Sequence, residues 1–413
     1  MLNSVVLPNM KNSMTLSRRS TLKILAGISA APLFFKNAFA ADFASIAEKA
    51  KGQVVYFNAW AGSEPINAYI AWAAEQVKQR FGVTLNHVKI TDTAEVVKRV
   101  RDEVQAGKSD GSVDLVWING QNFKTMKSEK LLFGPFATDL PNFSLVDTKG
   151  KPTTLQDFSE ATEGFESPWG MAQFTFFGDG AKIAKPPMSM VELASFAKAN
   201  PGRVTYPSPP DFHGVTFLKQ AMLETAPDKT VFTKPIDQAG FDALAKPWLE
   251  FLDALKPTLW REGKQYPKSQ AEVTQMVADG ELLVGLTFNP NEPANLVAAG
   301  TLPKTTIAWQ HSGGTIGNTH FVAIPVNASA KEGAEIVANF LLSPEAQARK
   351  ADLKFWGDPT VLDIPKLSGD DAKSFATAPA PGSVTFPAPA ILEPDASFVK
   401  LVEEAWTARY GKG

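Results

Sequence analysis

Cysteine is missing from all 413 residues. Its absence excludes disulfides, a thiolate nucleophile, an iron–sulfur cluster and a lipidated N-terminal cysteine. Histidine is scarce as well. The four, at His87, His213, His311 and His320, show no metal-ligand spacing and read as structural or exposed. No charge sign dominates: 41 Lys and Arg face 43 Asp and Glu, for a formal net charge of -2, which points away from nucleic acid and from anionic membranes. Beyond the first forty residues no apolar run is long enough to span a bilayer. Neither a phosphate-binding Gly-x4-Gly-Lys-Ser/Thr loop nor a zinc-binding His-Glu-x2-His helix is present. Gly107-Lys108-Ser109-Asp110-Gly111 has the letters of a nucleophile elbow, which requires a strand before the serine and a helix after it. Here the apolar spacing predicts the reverse, so the stretch reads as a polar helix-to-strand loop.

What is present is an ordinary globular composition, 44% hydrophobic and 20% charged, on a chain long enough for two or three domains of roughly 100–200 residues. The first forty residues stand apart. Arg18-Arg19 precedes an apolar run from Ile24 to Phe35, and Ala38-Phe39-Ala40 supplies the small-x-small pattern of a signal-peptidase site. This is an export signal, with the mature chain expected from Ala41. The paired arginines favour a twin-arginine signal over a general secretory one, although Thr21 stands where such signals usually carry Phe.

The mature chain opens with strand and helix signals in alternation. Gln53 to Asn58 reads as a strand. Ser63, a candidate N-cap, precedes helical spacing of Ile66, Tyr69, Ile70, Ala73 and Val77, which Gly82 ends. Val83 to Ile90 is a second strand, Asp92 with Glu95 a capping pair, and Val96, Val97 and Val100 a second helical face. Asp114-Leu115-Val116-Trp117-Ile118 then reads as a strand buried on both faces. Short links between these elements predict parallel strands joined by right-handed crossovers. A second set is expected from Arg203 to Tyr206, with strands at Met171 to Phe177, Leu282 to Phe288 and His320 to Pro325 and helices between them.

Polar and aromatic clusters recur just after these strands. They comprise Trp60, Gly62 and Ser63; Asn119, Gln121 and Asn122; Tyr206, Ser208 and Asp211; and Phe288 with Asn289. In open α/β sheets the carboxyl ends of strands are where ligands sit. Trp60 and Trp169 lie between elements and are candidates to line a cleft, whereas Trp72, Trp248 and Trp406 sit in helical patterns and read as core. No catalytic constellation, cofactor or metal site is expected.

Several segments carry a family resemblance. They are the export signal, Asp114 to Asn122, Pro168-Trp169-Gly170 with Pro186-Pro187, Val204 to Pro207 with Gly214, Asp279-Gly280-Glu281, and above all Phe340-Leu341-Leu342-Ser343-Pro344-Glu345-Ala346-Gln347. The chain resembles the extracellular solute-binding proteins of ABC importers, family 1, with the type II periplasmic fold. Asn119 to Phe123, Leu132 to Phe136 and Leu140 to Asn142 resemble the YnjB-type subgroup. The paired tyrosines of the family's iron binders are missing, which disfavours ferric iron. The resemblance implies an α/β fold of two doubly wound lobes joined by crossing hinge strands. It places lobe one at 42–168 and 316–346, and lobe two at 169–315 and 347–413. It implies a periplasmic monomer that is not an enzyme and that delivers a small polar or aromatic solute to the transmembrane subunits of an ABC permease. The solute class stays open among a sugar, a thiamine-like heterocycle and another organic cation. The alternative is a periplasmic hydrolase acting on a carbohydrate or ester, because one fold hosts many functions.

Overall fold

The computed structural model describes residues 43–376 and 380–411. The expected export signal lies outside the described residues. The chain divides into a short unit, Met1–Ser45, and a main unit from Ile46 onward, whose architecture follows.

After a helical stretch over 43–50, the main unit follows the apolar spacing, with strand β1 (Val54–Trp60), helix α1 (Glu64–Phe81), β2 (Thr84–Ile90), α2 (Thr93–Gln105), β3 (Leu115–Ile118) and α3 (Gln121–Ser128). Its signals act locally. Asp92 accepts a hydrogen bond from the Ala94 amide as N-cap of α2, and Gly82 adopts the left-handed conformation that ends α1. Ser63 occupies the N-cap of α1, though its side chain makes no capping bond. β1 pairs in parallel with both β2 and β3. Ser109 lies in an exposed loop with α2 before it and β3 after it, the reverse of an elbow.

Next come β4 (Glu166–Gln173), β5 (Thr175–Asp179), α4 (Met190–Ala199), α5 (Phe212–Thr225), α6 (Gln238–Leu255), α7 (Gln270–Ala278), β6 (Gly285–Thr287), α8 (Glu292–Ala298), β7 (Thr306–Trp309) and β8 (Thr315–Ala323). Last are α9 (Lys331–Leu341), α10 (Pro344–Ala351), β9 (Val384–Phe386), β10 (Ala390–Leu392) and α11 (Ser397–Tyr410). The first sheet runs β10-β8-β3-β1-β2, with β4 pairing β8; the second runs β9-β7-β5-β6. The second sheet is shorter and mostly antiparallel, unlike the first. The strand expected at Arg203–Tyr206 does not form. The Arg203 and Val204 carbonyls accept from Leu283 and Trp260, and Pro207 has no amide to continue a ladder.

Two hydrophobic cores flank the first and second sheets. One gathers Val96, Val97 and Val100 of α2 with Val116, Ile118, Phe321 and Ala323. The other gathers residues of α4, α5, α6 and α11 with Ala172, Phe174 and Ile316. β8 therefore contributes to both, while β4 contributes Ala172 to the second. β8 enters one core at Ile316 and the other at Phe321, while β4 runs antiparallel beside it from Glu166 to Gln173. These are the crossing strands of a two-lobed molecule.

Their pairing is interrupted at Trp169. Gly170 faces His320 and Pro168 faces Phe321, so Trp169 is the extra residue of a β-bulge. A bulge also tolerates Pro168, which cannot donate to a ladder. Next to it, Gly170 makes room for a buried ionic group: a Cβ at this position would fall on the Asp358 carboxylate and within 2.6 Å of the Lys350 ammonium. Lys350 and Asp358 are ion-paired, with His320 3.1 Å from Asp358. Truncating one partner of such a buried pair costs about 3–5 kcal/mol, because the other is left uncompensated.

Among the described residues no helix is long and apolar enough to cross a membrane. On α9, burial first and then the charges of Glu332 and Asp139 push the Glu335 carboxyl from its ordinary value up to about 7. The folded state thus holds a proton that the unfolded chain releases. This contribution to stability is fully present below the unfolded pKa of about 4.3 and is lost as pH rises through about 7. Glu335→Gln keeps the shape and removes the titration. Thermal melts across this window should show the wild type falling below the variant progressively with rising pH; a constant difference between the two would refute the assignment.

Candidate functional site

The carboxyl edge of the first sheet is built from the ends of β1 and β3. Their register pairs Phe57 with Leu115 and Asn58 with Val116, so the loops that follow leave the sheet side by side. Trp60 closes β1 and is 42% exposed. Its indole lies over Gly62, where any Cβ would collide with the ring. The Asn67 side chain donates to the Ala61 carbonyl at 3.1 Å and fixes the turn into α1. At the end of β3, Asn119 donates to the Thr319 carbonyl of β8 at 2.5 Å, tying this edge to a crossing strand. Gly120, at φ 57° and ψ -124°, takes a conformation closed to side chains. Gln121 is exposed and donates to Thr125 one turn along α3, and Asn122 is half-buried.

Two expected cleft residues belong instead to cores. Trp169 is fully buried, packed against Trp117 at 4.9 Å, Trp356 at 5.5 Å and Phe57 at 6.1 Å between ring centroids. The bulge turns it inward, which the loop-like Pro168-Trp169-Gly170 did not reveal. Tyr206 is 1% exposed; its ring stacks on Phe217 and its hydroxyl accepts from the Trp406 indole at 3.1 Å. Trp248 and Trp406 are core as expected, and Trp72 is half-buried.

The other second-lobe candidates are engaged locally. Ser208 donates weakly to the Pro267 carbonyl at 3.4 Å. Asp211 caps α5, accepting from the His213 and Gly214 amides at 2.9 and 3.0 Å. Partial burial pushes its carboxyl up, but the His213 side chain and these amides outweigh burial and hold it below the ordinary range. Phe288 is buried edge-on beneath Phe212, which is itself 42% exposed at the start of α5. Asn289 accepts from the Asn291 amide at 3.0 Å.

What meets the β3 edge is a group that sequence reasoning missed. Gln156–Asp157 and Glu160–Ala161 form a short hairpin whose tip residues, Phe158 and Ser159, both have positive φ. Turns of this kind normally carry Asn or Gly, so nothing in Asp157-Phe158-Ser159-Glu160 advertises one. Asp157 accepts from the Gly120 amide at 2.6 Å. The Phe158 ring rests on Gly120, where a Cβ would stand 2.8 Å from it. From the side of the second core, the Lys219 ammonium of α5 lies 5.0 Å from the centre of that ring and is ion-paired with Glu393. Ser159 donates to the Glu393 carbonyl at 2.9 Å, and Lys124 of α3 pairs with Asp395 at 3.1 Å. Lys219 offered one legible signal: it is a single cation in the apolar run from Val215 to Leu223.

Burial dominates the electrostatics of this junction. It holds the Asp157 and Glu166 carboxyls well above the ordinary range, and Glu393 above it despite Lys219. Among the described residues no group of three or more His, Asp or Glu is placed to hold a metal ion. The arrangement offers hydrogen bonds, charge and an aromatic face where the two cores approach each other.

Comparison with known proteins shows the family. The family model described as "Bacterial extracellular solute-binding protein" matches residues 72–372. Protein YnjB of Escherichia coli (strain K12) is 44% identical over 380 residues, covering 92% of this chain and 96% of the relative. Two solved structures share the fold. An ABC transporter protein from Clostridium perfringens has a TM-score of 0.59 at 17% identity, covering 87% of this chain and 99% of its own. The spermidine/putrescine substrate-binding protein PotD from Streptococcus pneumoniae has a TM-score of 0.60 at 12% identity, covering 86% and 98%. Proteins of this kind are substrate-binding rather than catalytic, lie outside the cytoplasm and work with ABC permeases. The two cores, the strands that cross between them and these matches agree: the chain belongs to the bacterial extracellular solute-binding proteins, the receptors of ABC importers.

Proposed function

We propose that the chain is a periplasmic receptor that closes as a monomer on a small solute and hands it to an ABC permease. The observation that carries this reading is the passage of β8 from one core to the other with β4 paired along it, and polar and aromatic groups meeting beside them. In this reading lobe one comprises about 42–168 and 316–346, and lobe two about 169–315 and 347–413, the boundaries following the resemblance. Residues 1–40 direct export by the twin-arginine route. The solute lies against the carboxyl edge of β1 and β3, reached by Trp60, Asn119, Gln121 and Asn122 from one lobe. Ser208, Asp211 and Asn289 approach from the other.

Lobes joined by crossing strands can hinge, with the ligand adding contacts that favour the closed form. Solution scattering on protein stripped of its solute and then resaturated should give a smaller radius of gyration with solute bound. An unchanged radius at saturation would count against a hinged receptor. N-terminal sequencing of the exported protein should begin near Ala41; an intact Met1 terminus or recovery in membranes alone would exclude the export scheme.

The two tryptophans separate binding from stability. Trp60→Ala should weaken binding several-fold, in line with about 0.5–2 kcal/mol for an aromatic face against a cation, and leave the unliganded melting midpoint nearly unchanged. Trp169→Ala should instead cost about 3–5 kcal/mol of stability, as truncating a core aromatic does. Calorimetric titration beside thermal melts tests both; wild-type affinity in Trp60→Ala would move the site away from the β1 edge.

A further inference from the structure

Four carboxylates converge where the hairpin tip meets the second lobe. Asp157, Glu166, Glu393 and Asp395 are each at most 3% exposed. The cations facing them are fewer. Lys219 is paired with Glu393 and has Glu403 of α11 nearby, Lys124 is paired with Asp395, and Lys127 is already shared between Glu160 and Glu163. The hydrogen-bond inventory is one-sided as well. Asp157 Oδ1, both carboxyl oxygens of Glu166 and Glu393 Oε2 are buried without a partner, and ionised carboxylates only accept. An anionic solute would add more acceptors. A neutral one would bring no positive charge to these carboxyls.

The aromatic face at this place already holds an ammonium. Lys219 presents its own across Phe158 and against Glu393, an arrangement of ring and carboxylate that attracts cations. Phe158 and Ser159 keep φ values of 44° and 65°, a conformation that side-chain-bearing residues adopt at a cost and that gathers at ligand clamps.

We propose, on the basis of the receptor reading above, that the solute is an organic cation, an amine or a quaternary ammonium. It would be held at the junction between Asp157 and Phe158 on the lobe-one side and Glu393 and Asp395 on the other. Its charge offsets the surplus carboxylates, and its N–H or polarised C–H groups face the unpartnered oxygens. Lys219 balances Glu393 while no solute is bound.

Binding is then linked to protons. Burial favours the protonated form of Asp157, Glu166 and Glu393 and a bound cation favours the ionised form, so affinity rises with pH.

The test has two arms on the exported full-length protein. In the first, mass spectrometry identifies the molecule released on denaturing natively purified protein. In the second, stripped protein is melted with millimolar choline, spermidine, glucose, glucose 6-phosphate or calcium, at about pH 5.5 and about pH 8. The released molecule is expected to carry a positive charge. Choline or spermidine should raise the melting midpoint, more at the higher pH, while glucose, glucose 6-phosphate and calcium should not. Asp157→Asn and Glu393→Gln should each weaken the binding of the active cation by at least about tenfold. Asp157→Asn should not lower the unliganded midpoint, since a buried carboxylate is removed; a purely structural Asp157 would give the opposite pair of results. Lys219→Met should enlarge the cation-dependent shift. A released solute that is neutral or anionic, or a shift with glucose, its phosphate or calcium but with neither cation, overturns the cation while leaving the receptor standing. Release of nothing, together with no shift from any probe, overturns both.

Discussion

The antiparallel pairing of β4 with β8 is the constraint on which the rest of the molecule depends. Backbone hydrogen bonds along this ladder do not care which side chains surround them, so β8 can leave one hydrophobic core and enter another without losing its partner. The ladder sets where each core begins, through Phe321 and Ala323 at one end and Ala172 and Ile316 at the other. Its middle cannot be apolar on every face, because it passes the junction between the lobes. There Asn119 is tied to Thr319, and Thr319 in turn to Thr153 at 3.0 Å.

Two buried ionic groups flank this ladder and differ in how well they are satisfied. Lys350, Asp358 and His320 close on one another beside the bulge, with Lys350 also within 3.5 Å of the Pro359 carbonyl. Opposing charges there keep Asp358 below the ordinary carboxyl range although burial alone would raise it. The Asp157–Glu393 side keeps unpartnered oxygens, and burial wins there. A fully paired buried network can serve a hinge as scaffold, whereas a partly paired one retains free energy that a partner can release.

The first half of the first lobe was legible because its signals are local. Continuous apolarity from Leu115 to Ile118, the Asp92 cap and the Gly82 stop are read one residue at a time, and the structure forms each. The same reading failed where geometry overrode local pattern. Pro168-Trp169-Gly170 has loop chemistry, yet a bulge absorbs it within a strand and turns the indole into the core. Arg203 to Tyr206 has strand chemistry, yet its carbonyls are spent on Trp260 and Leu283. The hairpin tip at Phe158 was invisible because its backbone conformation is imposed by what it packs against and not by its own residues. Lys219 and Glu393 are 174 residues apart in the chain, and no spacing rule connects them.

The final helix gives the fold a requirement of timing. α11 delivers Phe398, Val402, Trp406 and Tyr410 into the same core as α4, α5 and α6, and its Trp406 indole meets the Tyr206 hydroxyl. Domains generally assemble as units while the chain is made, from the N-terminal side onward. Here the second core has no Trp406 until α11 has been made, so a chain that stops before it carries an aromatic-sized gap. Such a product would expose apolar surface and invite proteolysis, making α11 a check that synthesis has passed this point.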